Sequence, residues 1–363
     1  MRLVLVTQTL DAEHPALAQT LDLVRALAER CDALVVLSQS VGAYPDLPAN
    51  VRVRVFGAGS RAGRGLRFVR LLAGELRRRP RPDAVLAHMV PLYVILAAPL
   101  AKPLGVRLAL WYTHWHAGRL LQLAARLADV LLSVDRRSFP LDSPKLRGIG
   151  HAIDVELFVP QPARRESGRL RLLALGRTAR WKGYETMLAA LEQAVAQGLD
   201  AELEIRGPQL TADERAHRAE LKAAVEASPA LRGRVRIEPP LPRAELPVLL
   251  GGADALLSAT QPRAGETLDK VVYEAAACGI PVLASNAALA EFLGGLPLDL
   301  SFAPRDAPGL AARLLDLAAA NRATRAQTGA ELRRRVVSSH SVATWADAVA
   351  AAVGDARPQQ RPQ

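Results

Sequence analysis

Two glutamates, Glu266 and Glu274, stand eight positions apart in the second half of the sequence, around the start of an apolar helical run. Glu266 is expected in a loop, and Glu274 about two helical turns later on roughly the same face. Residues 279–281 (Gly-Ile-Pro) end the run, and a short apolar strand follows. Two hydrogen-bond acceptors and the positive end of a helix should therefore point to one place. Such a place suits a ligand with several hydroxyl groups at one end and a phosphate in the middle.

A second polar segment follows an apolar run at 170–175, where the sequence continues through Gly176, Arg177 and Lys182. Ligands of doubly wound sheets bind at the carboxyl ends of the strands, so Arg177 and Lys182 are well placed to hold a phosphate. Charge-assisted hydrogen bonds of this kind contribute roughly 1.5–3 kcal/mol each. The alternative is an ordinary surface arginine and lysine in a loop.

Short apolar runs alternate with amphipathic helical runs along both halves of the chain. This alternation predicts one parallel sheet covered by helices in each half. Periodicity is lost near 155–169, which indicates a domain boundary there. The predicted strands are 2–7, 33–38, 51–56, 83–87, 106–112, 129–134 and 146–149 in the first half, and 170–175, 201–206, 233–238, 254–257, 281–284 and 299–303 in the second. The predicted helices include 15–30, 182–196 and 307–319.

The composition favours a protein of two domains, because the chain has 363 residues and half of them are hydrophobic. Cys31 and Cys278 form neither a metal-binding pattern nor a disulfide framework, and fit a reducing cytoplasm. Residues 2–7 are predicted to form a first strand rather than a signal peptide. The longest apolar stretch, 90–101, is far shorter than the ~20 residues that span a bilayer. These features lead to the expectation of a soluble, cytoplasmic protein.

Positive charge is concentrated in the first half of the chain. Residues 1–150 contain 21 Lys and Arg against 11 Asp and Glu, whereas the remainder contains 26 against 25. The basic half is expected to face an anionic partner. Nucleic acid is disfavoured because there is no zinc-finger or RNA-binding signature and aromatic residues are scarce. The favoured anionic partner is therefore an acidic acceptor or an anionic membrane surface.

The segment 61–81 is the strongest candidate for contact with such a membrane surface. On a helical wheel its arginines fall in one sector, opposite a predicted apolar side. A helix packed on a core with a solvated basic face is the alternative. The arginines are Arg64, Arg67, Arg70, Arg77 and Arg78, and the apolar residues are Leu66, Phe68, Val69, Leu72 and Leu76.

Together, the two polar motifs resemble those of the retaining glycosyltransferases of family 4, which have the GT-B fold. The resemblance rests on Gly176-Arg177 followed by Lys182-Gly183, and on Glu266 and Glu274 with seven residues between them. Three further segments match. Residues 205–208 resemble the family's glycine loop at a strand end, and residues 253–258 resemble the strand before the two acids. Residues 150–154, with Phe158 and Pro160, resemble the hinge. These segments occur in the family's order between about 148 and 285, and the likeness is weaker before 105.

The resemblance implies an α/β protein of the GT-B fold, with two Rossmann-like doubly wound domains facing a central cleft. The expected domains are an N-terminal acceptor domain at 1–155 and a C-terminal donor domain at 165–340. A helix at 341–353 is expected to pack back on the first domain, and 354–363 to be a disordered tail.

The resemblance also implies roles for individual residues of the donor domain. Arg177 and Lys182 would hold the diphosphate of a nucleotide-sugar, with the strand-end glycine Gly207 beside them. Glu274 would accept hydrogen bonds from the ribose, and Glu266 from hydroxyls of the transferred sugar. The backbone of Thr267, Leu268 and Asp269 would lie against the phosphate and the sugar.

The chemistry implied by the resemblance needs no cofactor and no metal. Cleavage of the sugar–phosphate bond develops negative charge on the diphosphate, and a fixed Arg/Lys pair stabilises that charge. The sequence has no Asp-x-Asp pair, which supports metal independence.

In the first half, a predicted strand leads into two histidines, His114 and His116. The family has a histidine at this strand end, near the sugar and the acceptor. His114 matches best and is the candidate catalytic residue, whereas His116 is a candidate on the acceptor side. A histidine after a strand is also commonly a hydrogen-bonded structural residue. Asp11, in the first loop, is a second candidate on the acceptor side, although this loop lacks the paired glycines common in the family.

Two further positions depart from the family pattern. Ala152 stands where the hinge usually has glycine, and Asp269 stands where glycine is common after the first acid. Asp269 would place a carboxylate near the phosphate unless it turns away to cap the helix. Lys270, next to it, would offset that charge.

These observations lead to the hypothesis of a retaining, metal-independent glycosyltransferase of the hexosyltransferase type. It would transfer a sugar from a nucleotide-diphosphate sugar to a hydroxyl of a glycan or lipid-linked acceptor in the cell envelope. Peripheral association with the inner face of the membrane is part of this hypothesis. Two alternatives are a sugar-nucleotide epimerase of similar fold and a non-catalytic nucleotide-sugar-binding subunit.

Overall fold

The computed structural model of the chain describes residues 1–14, 17–114, 116–162, 168–261 and 269–354. The chain divides into two compact units. The first consists of Met1–Ala152 together with the segment that begins at Ser339, and the second consists of Ile153–Ser338. Each unit contains its own parallel sheet.

The sheet of the first unit has seven strands, and every neighbouring pair is parallel. The strands are β1 (Arg2–Leu10), β2 (Ala33–Val41), β3 (Val51–Val55), β4 (Ala84–His88), β5 (Arg107–Trp111), β6 (Val130–Ser133) and β7 (Leu146–Gly148). Their order is β3-β2-β1-β4-β5-β6-β7. This order runs outward from β1 and β4, as in doubly wound folds. β4 is buried along its whole length, which explains its continuous apolar sequence up to His88.

Four helices connect these strands: α1 (Thr20–Ala28), α2 (Arg61–Arg77), α3 (Pro91–Ala101) and α4 (Arg119–Leu127). Ser60 caps α2, because its hydroxyl accepts a hydrogen bond from the backbone N–H of Gly63 at 3.0 Å. Pro91 begins α3 at a position where the missing N–H costs no helical hydrogen bond. Within the described residues, no helix of the protein is long and apolar enough to cross a membrane.

The inner face of α2 packs on a cluster of aromatic rings. Phe68 is fully buried, and its ring lies 5.6 Å from that of Phe56 and 4.8 Å from that of Tyr93. Leu72 and Leu76 are buried on the same side. Leu66 is 50% exposed, so its predicted place on the apolar side was wrong. Two helical positions correspond to about 200°, which puts Leu66 nearly opposite Phe68.

The sheet of the second unit has five parallel strands: β8 (Leu170–Leu175), β9 (Ala201–Arg206), β10 (Val235–Glu238), β11 (Ala255–Ser258) and β12 (Val282–Ala284). Their order is β10-β9-β8-β11-β12. The predicted strand at 299–303 was wrong. That segment contributes only an isolated bridge between Ser301 and Ala284, so it does not extend the sheet by a full strand.

The helices of the second unit are α5 (Tyr184–Ala196), α6 (Ala212–Ala227), α7 (Leu246–Gly251), α8 (Lys270–Ala277), α9 (Ala290–Leu293), α10 (Ala307–Ala319) and α11 (Arg322–Ser339). A short 3₁₀ turn, Arg180–Lys182, precedes α5. Thr211 caps α6 by accepting a hydrogen bond from the backbone N–H of Glu214. Because α5, α6 and α8 follow the strand ends at 175, 206 and 258, their first turns lie near the carboxyl edge of the sheet.

The last helix, α12 (Val342–Gly354), belongs to the first unit and packs on α1 and β5. Trp345 of α12 is buried, and its ring meets the ring of Trp111 edge-on at 5.6 Å. Arg30 also donates a hydrogen bond to Asp347 at 2.9 Å.

Candidate functional site

Two glycines bring the ends of β8 and β9 together. A Cβ atom on Gly207 would lie 1.7 Å from the carbonyl oxygen of Gly176, so only glycine fits at position 207 without a backbone shift. Gly176 itself has φ 144°, a conformation that residues with side chains rarely adopt. The backbone N–H of Gly176 donates to the carbonyl of Arg206 at 2.9 Å. The loop carrying Arg177 is thereby held beside the predicted glycine loop.

Lys182, in the 3₁₀ turn after β8, is buried against the end of β11. Its ammonium lies 2.6 Å from Oδ1 of Asp269 and 4.7 Å from the centre of the Trp181 ring. The other carboxylate oxygen of Asp269 accepts hydrogen bonds from the hydroxyls of Thr260 at 2.5 Å and Ser258 at 3.4 Å. Asp269 was expected to place a carboxylate near the phosphate unless it turned away to cap the helix. Its carboxylate does not cap α8 and instead pairs with Lys182, while its place next to a phosphate stays a prediction.

Glu274 is buried on α8, where its carboxylate pairs with the ammonium of Lys270 one turn earlier at 3.1 Å. Lys270 was expected to offset the charge of Asp269, but the structure pairs it with Glu274. Because Asp269 and Lys270 are consecutive, the pairs Lys182–Asp269 and Lys270–Glu274 lie next to each other at the start of α8. Burial, with a further contribution from the charge of Glu274, raises the pKa of Cys278 to about 12.

Arg177 is 44% exposed and pairs with Glu214, whose carboxylate lies 2.5 Å from the guanidinium. Glu214 is buried, and its second oxygen accepts the backbone N–H of Leu210 at 2.6 Å. Sequence reasoning missed Glu214. The Thr-x-x-Glu pattern from Thr211 was a usable signal, but it indicates a capping box and not a partner for Arg177.

Two buried aromatic side chains brace the loop between β8 and α5. The hydroxyl of Tyr184 donates to the carbonyl of Gly176 at 2.9 Å. The imidazole of His217, on α6, bonds the carbonyl of Thr178 through Nδ1 and the carboxylate of Glu185 through Nε2, both at 2.8 Å. Burial raises the pKa of Tyr184, so its hydroxyl keeps its proton and remains a donor. Neither residue was predicted from the sequence.

The structure thus brings five predicted donor-binding residues to the carboxyl edge of the second sheet: Arg177, Lys182, Gly207, Asp269 and Glu274. Glu266, Thr267 and Leu268 lie outside the described residues, and their roles stay predictions. The described part of the site combines cationic groups for a phosphate with buried carboxylates that accept hydrogen bonds. It can bind a ligand that carries both phosphate and hydroxyl groups.

In the first unit, His114 and His116 follow β5 and are exposed. Nδ1 of His114 faces the backbone N–H of His116 at 3.4 Å, and partial burial together with the charge of His116 lowers the pKa of His114. Asp11 follows β1, and its carboxylate accepts the backbone N–H of Glu13 at 3.1 Å. β4 separates β1 from β5 in the sheet, so Asp11 and the histidines extend from strands that are not neighbours.

A third histidine, His88, ends β4 and was not predicted to have a role. It is buried, and its Nδ1 lies 3.1 Å from the hydroxyl of Thr7 on β1. Burial lowers the pKa of His88 to about 4. The next residue, Met89, has φ 66°, and its sulfur accepts a hydrogen bond from the hydroxyl of Thr113. The apolar run of β4 ending in a histidine was the only signal available.

Part of the chain matches a known family model. Residues 169–320 match the family described as glycosyl transferases group 1. A curated relative, D-inositol 3-phosphate glycosyltransferase 1 of Catenulispora acidiphila, is 30% identical over 187 residues. That alignment covers 47% of this chain and 41% of the relative, so the chain matches less than half of the relative's length.

Similar solved structures extend over nearly the whole chain. HepE of Anabaena in complex with UDP and glucose has a TM-score of 0.75 at 17% identity, covering 98% of this chain and all of that chain. Sucrose-phosphate synthase of Thermosynechococcus elongatus has a TM-score of 0.70 at 18% identity, covering 96% and 97%. A glycosyltransferase of Rickettsia africae has a TM-score of 0.72 at 13% identity, covering 97% and 99%. These similarities confirm the predicted GT-B fold.

Proposed function

We propose that this protein is a retaining glycosyltransferase of the hexosyltransferase type that transfers a sugar from a nucleotide-diphosphate sugar to a hydroxyl acceptor without a metal. The observation that carries the proposal is that Arg177 and Lys182 follow β8, and that Glu274 lies on the helix after the neighbouring strand β11, with Lys182 joined by an ion pair to Asp269 at the start of that helix. This edge lies within the segment that matches the glycosyl transferases group 1 model. The similar fold of HepE, which was crystallised with UDP and glucose, is consistent with a nucleotide-sugar donor.

In this proposal the cations act on the leaving group. Arg177 and Lys182 bind the diphosphate and stabilise the charge that develops on it as the bond to the sugar breaks. The contacts of Gly176 with Gly207 and Tyr184 fix the loop that carries Arg177 before the donor arrives, which lowers the cost of reorganisation at this cation. Glu274 accepts hydrogen bonds from the ribose hydroxyls.

The remaining roles in the proposal come from the family resemblance. Glu266 accepts from hydroxyls of the transferred sugar, and the backbone of residues 267–269 contacts the phosphate. In the first unit, His114 orients the sugar or the attacking hydroxyl. Asp11 and His116 are assigned to the acceptor side.

The acceptor in this proposal is a glycan or lipid-linked molecule of the cell envelope, met at the cytoplasmic face of the membrane. The basic composition of residues 1–150 supports an anionic acceptor environment. The outward side of α2 supports it as well, since Arg67, Arg70, Arg77 and Arg78 are exposed there while Phe68 is buried.

Substitution of Lys182, with Arg180 as a matched control, tests the proposal. Arg180 lies two residues earlier in the same turn, but it is exposed and pairs with the exposed Glu220. With UDP-, GDP-, ADP- and TDP-sugars and a panel of hydroxyl acceptors, we expect Lys182→Met to lower product formation by about 100-fold. Arg180→Met should retain activity within a factor of about three, because exposed ion pairs contribute little.

The products of the same assay separate the alternatives. NMR of the new glycosidic bond reports whether the sugar's configuration is retained. Conversion of a donor to its epimer without acceptor would indicate the epimerase. Donor binding without turnover across the whole panel would indicate a non-catalytic subunit. Equal activity of Lys182→Met and the wild type would contradict the assigned site.

A further inference from the structure

The carboxylate of Asp269 forms an ion pair with the ammonium of Lys182, the residue proposed above to bind the donor's phosphate. The two side chains are only 11% and 12% exposed, and their charged atoms are 2.6 Å apart. The carboxylate is also fixed from the other side, because Oδ2 accepts the hydroxyls of Thr260 and Ser258. Asp269 is therefore held on Lys182 by contacts on both of its oxygens.

Two further cations near this edge, Arg177 and Lys270, are also paired with carboxylates. Arg177 carries Glu214, and Lys270 carries Glu274. Three positive charges thus face three carboxylates, and the predicted phosphate-binding edge has no excess of positive charge among these six residues. The three cations alone would suggest a strongly cationic site.

The pair at Lys182 differs from the pair at Arg177 in what remains available to a ligand. Arg177 is 44% exposed, and a guanidinium has five N–H donors, so it can keep Glu214 and still bind a phosphate. Lys182 is a compact ammonium that is nearly buried, and a phosphate oxygen that reaches it must come close to the Asp269 carboxylate. The negative charges of the phosphate and of the Asp269 carboxylate would then lie close together in a partly buried site, where like charges repel strongly.

We propose that Asp269 is a built-in competitor of the donor's phosphate for Lys182 and sets the affinity of this site for diphosphates. The inference rests on the proposed function and deepens it, since it assigns to the same site a residue that limits donor binding. Neutralising Asp269 should strengthen the binding of ligands that carry a diphosphate. It should leave the binding of the nucleoside part unchanged, because the competition is confined to Lys182.

Asp269→Asn tests the proposal, because asparagine has the same shape, can still accept from Lys182 and carries no charge. The measurement is calorimetric titration with inorganic pyrophosphate, UDP, GDP, ADP and TDP, each nucleotide alongside its nucleoside. We expect the dissociation constant of pyrophosphate and of the preferred nucleotide to fall by about tenfold or more. The nucleoside should bind the wild type and Asp269→Asn within a factor of about two.

Asp213→Asn is the matched control. It removes an equal charge from the same unit, but Asp213 is exposed and pairs with Arg180 instead of Lys182. Its diphosphate affinity should equal that of the wild type. An equal gain in Asp213→Asn would overturn the proposal, since the effect would then reflect net charge alone.

Two more outcomes decide the matter. Weaker diphosphate binding in Asp269→Asn would overturn the inference and make Asp269 a positioning residue for Lys182. Asp269→Ser, whose hydroxyl can also accept from Lys182, guards against a folding defect specific to asparagine. If neither variant folds even with millimolar pyrophosphate, the carboxylate is required for the fold and the competitor role is wrong. If neither the wild type nor the two variants bind any of these nucleotides or pyrophosphate, the proposed function itself is contradicted. This result differs from failure of the competitor role alone, in which the wild type still binds a diphosphate.

Discussion

Gly207 packs so closely on Gly176 that a Cβ atom at position 207 would lie 1.7 Å from the Gly176 carbonyl oxygen. The obstacle is backbone, which a rotamer change cannot relieve. Gly207→Ala must therefore separate the ends of β8 and β9 and displace the loop that carries Arg177. We expect a loss of about 1–3 kcal/mol in unfolding free energy and at least tenfold weaker nucleoside diphosphate binding. Urea unfolding and ligand titration measure the two effects.

Gly74→Ala is the control for this substitution. Gly74 lies on α2, and a Cβ atom there would meet no heavy atom of the described residues within 4 Å, so alanine fits freely. The helix should gain roughly 0.5–1 kcal/mol, because alanine loses less conformational entropy than glycine. Wild-type diphosphate affinity in Gly207→Ala would show that the close glycine contact does not shape the site.

Glu214 supports a second prediction, because its two oxygens serve two different donors. One faces the guanidinium of Arg177, and the other accepts the backbone N–H of Leu210. In Glu214→Gln the amide nitrogen must face one of these donors, since a carboxamide has only one acceptor oxygen. We expect unfolding free energy to fall by about 1–3 kcal/mol, as for other buried groups left without an acceptor.

Glu220→Gln provides the comparison for Glu214. Glu220 also pairs with an arginine, Arg180, but its side chain is 56% exposed. Water can replace the lost contact, so the unfolding free energy of Glu220→Gln should equal that of the wild type within the error of the measurement. Equal stability changes at the two positions would mean that burial of Glu214 does not determine its contribution.

The sequence was sufficient to locate most strands and the positions of several site residues. Strands 170–175 and 201–206 were predicted with the bounds that the structure shows, because each is a short apolar or alternating run between clear breaks. Lys182 and Gly207 could be placed after strand ends from the sequence, where doubly wound sheets bind ligands, and their donor-binding roles stay predictions. The predicted strand at 299–303 failed because an apolar run alone does not guarantee a partner along its length.

The partners of the site residues could not be predicted from local patterns. Lys182 and Asp269 are 87 positions apart, and their pairing depends on how β8 and β11 lie side by side. His217 lies in the polar run of α6, where one histidine has no periodic signal, yet it braces a loop 39 positions away. Sequence periodicity describes the elements, whereas these contacts arise only from their packing.

His88 gives a prediction about pH. Burial lowers its pKa from 6.5 to about 4 in the folded protein, so the folded state holds the neutral imidazole. Because the folded pKa is below the unfolded one, its contribution to stability is complete above about pH 6.5. It is lost as the pH falls from there towards 4, by up to about 3 kcal/mol. His340, whose pKa burial also lowers to about 4, adds a second such contribution in the same unit.

The measurement is the unfolding free energy of the wild type and of His88→Gln between pH 4.5 and 7.5. Glutamine can still bond the hydroxyl of Thr7, but it does not titrate. The slope of stability against pH should decrease by up to about 1.4 kcal/mol per pH unit, the value for one proton, with the contribution of His340 remaining. Parallel profiles for the two proteins would show that His88 takes up no proton on unfolding.

The arginine face of α2 yields the last prediction, which concerns membranes. Arg67, Arg70 and Arg78 are exposed. Phe68 and Leu72 are buried in the core and cannot insert into lipid, so any contact with a membrane must be largely electrostatic. We expect the protein to sediment with vesicles that contain phosphatidylglycerol, and to be released as the salt concentration rises.

Alanine at these three positions should weaken vesicle binding by about 100-fold, because each basic residue near an anionic surface contributes ~1 kcal/mol. The control replaces three exposed arginines of the second unit, Arg215, Arg232 and Arg334, and lowers the net charge by the same amount. It should bind the vesicles as the wild type does if the α2 face makes the contact. Equal losses in both triple variants would attribute binding to net charge, and salt-insensitive sedimentation would exclude an electrostatic contact.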